Sequence, residues 1–328
     1  MYQMMSLPLY SGTLGEYNSW RDLGQELERL GCDGIEGVWG GEDLPKDLPA
    51  ELILGYHLIF YPDWLDFYRD DRAALKQKFG SLEVTASFYG GLGPDTLLEQ
   101  YRADLRRAVN LGARYVVFHV SDVSLEEGYT YRWLHTNQEV IDAAVEVVNL
   151  ILGEERWPFE FLVENQWWPG FTFTEPEETA RLLEGIRFAG KGILLDTGHL
   201  MNACTELKTE AEGADYIRSM LNRHGSLAKW VRGVHLHQSL SGAYVKAHTG
   251  SLPAGLPEDY MERFGVSYQH ILQIDQHRPW TDPAILSVLE QIEPRYLTHE
   301  LSSRGRMARA EAVSIQTRLL RQGGRMRV

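Results

Sequence analysis

Nine side chains in this sequence are of types that bind divalent cations and stand where such binding could be built: His57, His119, Glu164, Asp196, His199, His235, Asp275, His277 and Glu300. Seven of them lie at or just past the end of a short apolar run. His57 follows Leu54-Gly55-Tyr56, His119 ends Val116-Val117-Phe118, and Glu164 ends Phe161-Leu162-Val163. Asp196 and His199 share the stretch Leu194-Leu195-Asp196-Thr197-Gly198-His199; His235 lies in Gly233-Val234-His235-Leu236-His237, and Glu300 closes Leu297-Thr298-His299. Asp275 and His277 form an Asp-x-His pair inside a long connection. A lone strand-end histidine is usually a hydrogen-bonded structural residue, so it is the joint placement that points to chemistry. Neutral imidazole with carboxylate and no thiolate suits Zn2+, Mn2+, Fe2+ or Co2+ rather than a Cys-type structural zinc.

The elements that must position these groups are short β-branched-rich runs alternating with helical patterns, the signature of βα units around a parallel sheet. The runs fall at residues 7–10, 34–39, 52–56, 115–120, 159–163, 192–195, 231–236 and 296–298, with helices expected over 20–30, 97–111, 137–152, 176–188, 214–223, 283–291 and 308–321. Eight strands with no composition break predict an α/β fold, a single (β/α)8 barrel over residues 1–328. The absence of Gly-x-Gly-x-x-Gly after the first strand argues against a dinucleotide fold. In a closed barrel the strand ends meet at one axial pocket, where carboxylates and imidazoles would repel or stay unpaired unless cations were present. Two connections are long, 121–136 and 238–274; the second reads as an insertion after strand seven that acts as a lid.

Composition narrows the partners. With 328 residues, 44% hydrophobic and 24% charged, the chain is neither disordered nor a coiled coil. A net charge of −14 gives no long-range attraction for a polyanion, so nucleic acid is disfavoured and a small-molecule substrate is expected. Two cysteines, Cys32 and Cys204, in no C-x-x-C arrangement indicate neither a disulfide framework nor a Cys-type zinc site. No run of 18 apolar residues predicts a membrane span, and a cytoplasmic setting is expected.

The strand-end set His57, His119 and Glu164, the Asp196-Thr197-Gly198-His199 turn, His235, the Asp275-x-His277 pair and Glu300 together resemble the xylose isomerase-like TIM barrel superfamily, and in particular the ligand set of endonuclease IV (apurinic endonuclease family 2). The resemblance implies up to three zinc ions held by all nine residues. The sugar isomerases and epimerases of the superfamily resemble this chain at Glu164, Asp196, His235 and Glu300 and use one divalent metal. Two departures stand out: the nuclease pattern His-Leu-Asn-Asp reads His235-Leu236-His237-Gln238 here, and Glu164 is followed by Asn165-Gln166-Trp167-Trp168 in place of small residues.

Two enzymatic expectations follow, both with Glu164 and Glu300 as catalytic carboxylates. The first is a metal-cluster hydrolase of a small phosphoester; the alternative is a sugar or sugar-phosphate isomerase or epimerase using one Mn2+-type ion. A metal-stabilised binding protein is a third, non-enzymatic reading. His237, Trp167 and Trp168 are expected at the substrate, and Arg304 and Arg306, just after the last strand, where a phosphate could be held. Glu36 reads equally as an inward-facing site residue or as half of a structural ion pair. His135, His224, His248, His270 and His299 read as surface or supporting residues.

Overall fold

Eight strands pair in sequence order, all parallel, and the last closes on the first. They are β1 (Tyr2–Leu9), β2 (Gly34–Trp39), β3 (Ile53–His57), β4 (Tyr115–His119), β5 (Glu160–Glu164), β6 (Lys191–Asp196), β7 (Val231–His235) and β8 (Tyr296–His299). This is a TIM barrel. It is seen in a computed structural model that describes residues 1–323; residues 324–328, the end of the expected 1–328 barrel, lie outside the described residues. The expected strand at 7–10 begins five residues earlier, because Met4 and Met5 pair with both β2 and β8 although methionine carries no β-branched signal.

Strand alternation decides what reaches the axis. Val116 and Phe118 of β4 pack outward under the helices, whereas Tyr115 and Val117 join an inner core with Met4, Leu162, Leu194 and Tyr296. One more inward position along β4, β5 and β6 is His119, Glu164 and Asp196. The apolar inner core therefore stops one step short of the C-terminal ends, and polar ligands take over. Gly55 on β3 makes room for this core: a Cβ there would lie 2.3 Å from the Tyr115 ring.

The seven expected barrel helices are present, with ends within four residues of the sequence reading. Two long connections rise over the C-terminal face. The segment 238–274 contains the helices Gly242–His248 and Tyr260–Ile274, so it is a folded roof and not an open loop. The other roof segment follows β3 and holds the short helices Leu65–Tyr68, Arg72–Phe79 and Leu82–Tyr89, which the sequence reading does not assign. The two segments meet through aromatic pairs, Phe79 on Tyr260 at 4.3 Å and Phe88 on Phe264 at 5.4 Å. Beneath the β3 segment Lys78 is partly buried, its Nζ 2.7 Å from Asp63 Oδ1 and 2.7 Å from Asp66 Oδ2. Asp122, after β4, accepts from the Trp64 and Leu65 N–H groups at 2.8 and 2.9 Å, joining that segment to the barrel. Among the described residues no helix is long and apolar enough to cross a membrane.

Candidate metal centre

Six strand ends bring their side chains to one place. His57 ends β3, His119 β4, Glu164 β5, Asp196 β6 and His235 β7, and Glu300 follows β8. Asp196 also caps the helix Thr197–Asn202: its Oδ1 accepts from the His199 N–H at 2.6 Å, which fixes His199 one turn away. Asp275 ends the roof helix Tyr260–Ile274. His277 holds a left-handed backbone, φ 45°, with its Nε2 2.7 Å from Asp275 Oδ2. With His237 added, these residues form three groups whose ligand atoms lie within 4.8 Å of one another: His57, His119 and Glu164; Glu164, Asp196, His235 and Glu300; and His199, His237, Asp275 and His277. Glu164 belongs to two of them.

Whether cations fit can be read from the hydrogen bonds that are not made. His57 Nδ1 donates to the Leu58 carbonyl at 2.8 Å, which leaves its Nε2 lone pair facing His119 Nε2 at 2.9 Å. Glu164 Oε2 lies 3.3 Å from His57 Nε2 and 3.2 Å from His119 Nε2, and His235 Nδ1 lies 2.8 Å from Glu300 Oε2. Yet Glu164 Oε2, His235 Nδ1, Glu300 Oε2 and Asp275 Oδ1 are all buried with no hydrogen-bond partner. Lone pairs that converge without pairing leave buried acceptors unsatisfied, and a divalent ion at the point of convergence satisfies several at once. The support is in place too. Glu36 Oε1 accepts from His235 Nε2 at 2.8 Å, fixing the tautomer that presents Nδ1, and Glu36 is itself held by Tyr115 OH at 2.6 Å and Thr298 Oγ1 at 2.9 Å. Glu36 is thus an orienting carboxylate, and the pairing that decides its role spans 199 residues.

The profile of the xylose isomerase-like TIM barrels matches residues 25–319. The chain belongs to this family. No curated protein matches it as a relative by sequence. Among solved structures it is similar to an endonuclease IV from Thermus thermophilus (16% identity, 98% of this chain and 100% of that one, TM-score 0.55). It is also similar to an L-ribulose 3-epimerase (12%, 98% and 94%, TM-score 0.54) and a D-tagatose 3-epimerase-like protein (15%, 99% and 98%, TM-score 0.53). At these identities the likeness is one of fold.

In this xylose isomerase-like barrel both His235, the last residue of β7, and His237 face the site. His237 Nε2 lies 2.8 Å from Asp196 Oδ2, and its ring stacks on His277 at 4.0 Å. The position next to it must be glycine, since a Cβ on Gly198 would lie 2.1 Å from the His237 ring. Trp167 and Trp168 are buried and line the cavity above the groups, with the Trp167 ring 5.1 Å from His199. The two arginines do not reach it. Arg306 pairs with Asp22 and Glu26 at 2.7 and 2.8 Å and lies over the Tyr17 ring, so its charge is spent between two outer helices, while Arg304 is exposed and does not line the cavity. His270, read as a surface or supporting residue, is buried and lines the cavity between Tyr244 OH and the Gly128 carbonyl. Phe60 carries no signal in the sequence reading although it follows His57 by three residues; its ring sits 4.5 Å from that of His119.

The electrostatics of the family's site here follow from carboxylates and imidazoles packed without solvent. Burial pulls His199 and His235 down, but neighbouring carboxylates outweigh it: Asp196 and Asp275 for His199, Glu300 and Glu36 for His235, and both end well above the usual imidazole range. The same contest, won by Asp275, pushes His277 up to about 9. Burial raises Glu164, yet His119 and His235 bring it well below the carboxylate range. Protons on imidazoles thus balance the carboxylates, and a cation must displace them. Affinity for a divalent ion is therefore expected to rise from about pH 6 to about pH 9, with protons released on binding. Titration calorimetry in two buffers of different ionisation heat checks this; affinity independent of pH, with no proton release, would contradict it.

Proposed function

We propose that this barrel is a divalent-metal enzyme that moves a proton within a small carbonyl-bearing molecule, as an isomerase or epimerase of a sugar or sugar-like compound. One observation carries the reading: Glu164 and Glu300 share a group with Asp196 and His235, and each keeps a buried oxygen that makes no hydrogen bond. Imidazole protons hold both carboxyls low, with Glu164 Oε1 3.1 Å from His199 Nδ1 and Glu300 Oε2 2.8 Å from His235 Nδ1, and an ion that displaced those protons would leave the pair able to carry a substrate proton. One of the pair takes the proton from the carbon beside the carbonyl and the other returns it. Glu164, Asp196, His235 and Glu300 would hold the ion, which when bound polarises the carbonyl oxygen. His237 steadies Asp196, and Glu36 steadies His235. The cavity supports an uncharged substrate, since among the described residues lining it none is Lys or Arg. Two of the similar solved structures are named for sugar epimerisation.

A second reading, hydrolysis of a small ester or phosphoester, is favoured by the remaining groups. His57 and His119 with Glu164, and His199, His237, Asp275 and His277, are ligand sets that a one-metal isomerase does not need. The similarity to endonuclease IV belongs with this reading. Elemental analysis paired with incubation of a ketose and aldose panel in D2O separates the two. One ion per chain with deuterium entering beside the carbonyl is the expected result. Three ions per chain, ester cleavage and no exchange would replace it with hydrolysis.

A further inference from the structure

The cavity over the metal groups has a volume of about 610 Å3, ample for a molecule larger than a single sugar ring. Its two ends differ in character. The floor is polar and made of strand-end ligands, whereas the walls and roof carry Phe60, Phe88, Trp167, Trp168, Phe264 and Tyr268. Most polar side chains around it are already engaged: Gln166 Nε2 lies 3.0 Å from His199 Nδ1, the Ser124 hydroxyl caps a helix, and His270 bridges Tyr244 and Gly128. Few remain to greet a row of hydroxyls. Among the described lining residues the Trp168 indole N–H and the Ser267 hydroxyl are buried without a partner, while the Trp167 indole N–H faces Tyr131 OH.

We infer that the substrate has two parts, a compact oxygen-rich head that meets the ligand groups and an uncharged aromatic ring that occupies the space under the roof. This rests on the metal reading above and narrows its substrate class. The ring belongs close to the head, because Phe60 lies against His119 and Trp167 against His199. The roof helix Tyr260–Ile274 supplies Phe264 and Tyr268, and the β3 segment supplies Phe60, Tyr61 and Phe88, so most of the aromatic wall comes from the two roof segments. An anionic substituent on the ring is disfavoured, since no lining Lys or Arg would meet it. An oxygen linking ring to head can accept from the Trp168 indole N–H.

The test compares two ligands with one metal-binding head, benzohydroxamate and acetohydroxamate, on the metal-loaded protein. The aromatic member is expected to bind about tenfold or more tighter, the value of burying a ring. Phe264→Ala and Trp168→Ala should each shrink that preference several-fold while acetohydroxamate affinity stays within about twofold. Equal affinity of both ligands for the native protein overturns the aromatic class and leaves the metal reading standing. If neither hydroxamate binds, the metal reading fails and the ring site is read separately, by NMR saturation transfer from metal-free protein to the ring protons of benzyl alcohol. Transfer abolished by both variants sustains the inference; no transfer to the native protein's ligand overturns it.

Discussion

Glu164→Gln is expected to remove most of the bound metal and to lower activity by on the order of 10^3-fold or more, since altering even supporting groups around a metal costs about 10–100-fold. The residue sits in two of the three groups, with Oε2 toward His57 and His119 and Oε1 3.1 Å from His199 Nδ1. A neutral amide keeps the shape and loses the charge that balances a dication, and its NH2 can donate to the His57 and His119 Nε2 lone pairs and so take the place of the ion. The barrel itself should persist, because the inner apolar core stops below the site. Metal content by mass spectrometry, beside circular dichroism and a thermal melt, gives the answer. Full metal content and activity in a folded variant would take Glu164 out of the centre.

Lys78→Met is expected to destabilise the protein by about 3–5 kcal/mol, the range for stripping one partner from a buried ion pair. Lys78 is the cation between Asp63 and Asp66, and its removal leaves both carboxylates buried beside Asp122. The sign of the pH dependence follows. Asp63, left without Lys78, escapes its penalty by taking up a proton, and Asp66 keeps His135 at 3.2 Å, which is charged more fully at low pH, so the loss should be smaller near pH 5 than near pH 8. Denaturant unfolding of both proteins at the two pH values measures it. A loss under about 1 kcal/mol at both would mean that the site relaxes or admits water.

The strand-end placement of the candidate ligands was legible because two rules act locally: side chains alternate along a strand, and a barrel gathers the C-terminal ends of its strands. His119, Glu164 and Asp196 need no knowledge of distant segments to be placed. Other features do need it. Glu36 meets His235 across 199 positions, and the two roof segments join through pairs such as Phe79 on Tyr260 and Phe88 on Phe264, about 180 positions apart in the chain. The β3 segment is silent in the sequence because its helices of four, eight and eight residues are too short to show a clear 3.6-residue period. Arg306 misleads for the opposite reason. Its position soon after Glu300 in sequence suggests nearness to the site, but a helix begins there and turns the guanidinium outward to Asp22 and Glu26.

The third ligand group is unlike the others in how it is anchored. Glu164, Asp196 and His235 belong to the barrel frame, but Asp275 caps the helix that roofs the cavity and His277 follows it by two residues. Any excursion of that helix carries both away from His199 and His237, and its return restores them. This group is therefore complete only while the roof helix is seated on the barrel, whereas the group of Glu164, Asp196, His235 and Glu300 takes no residue from the roof.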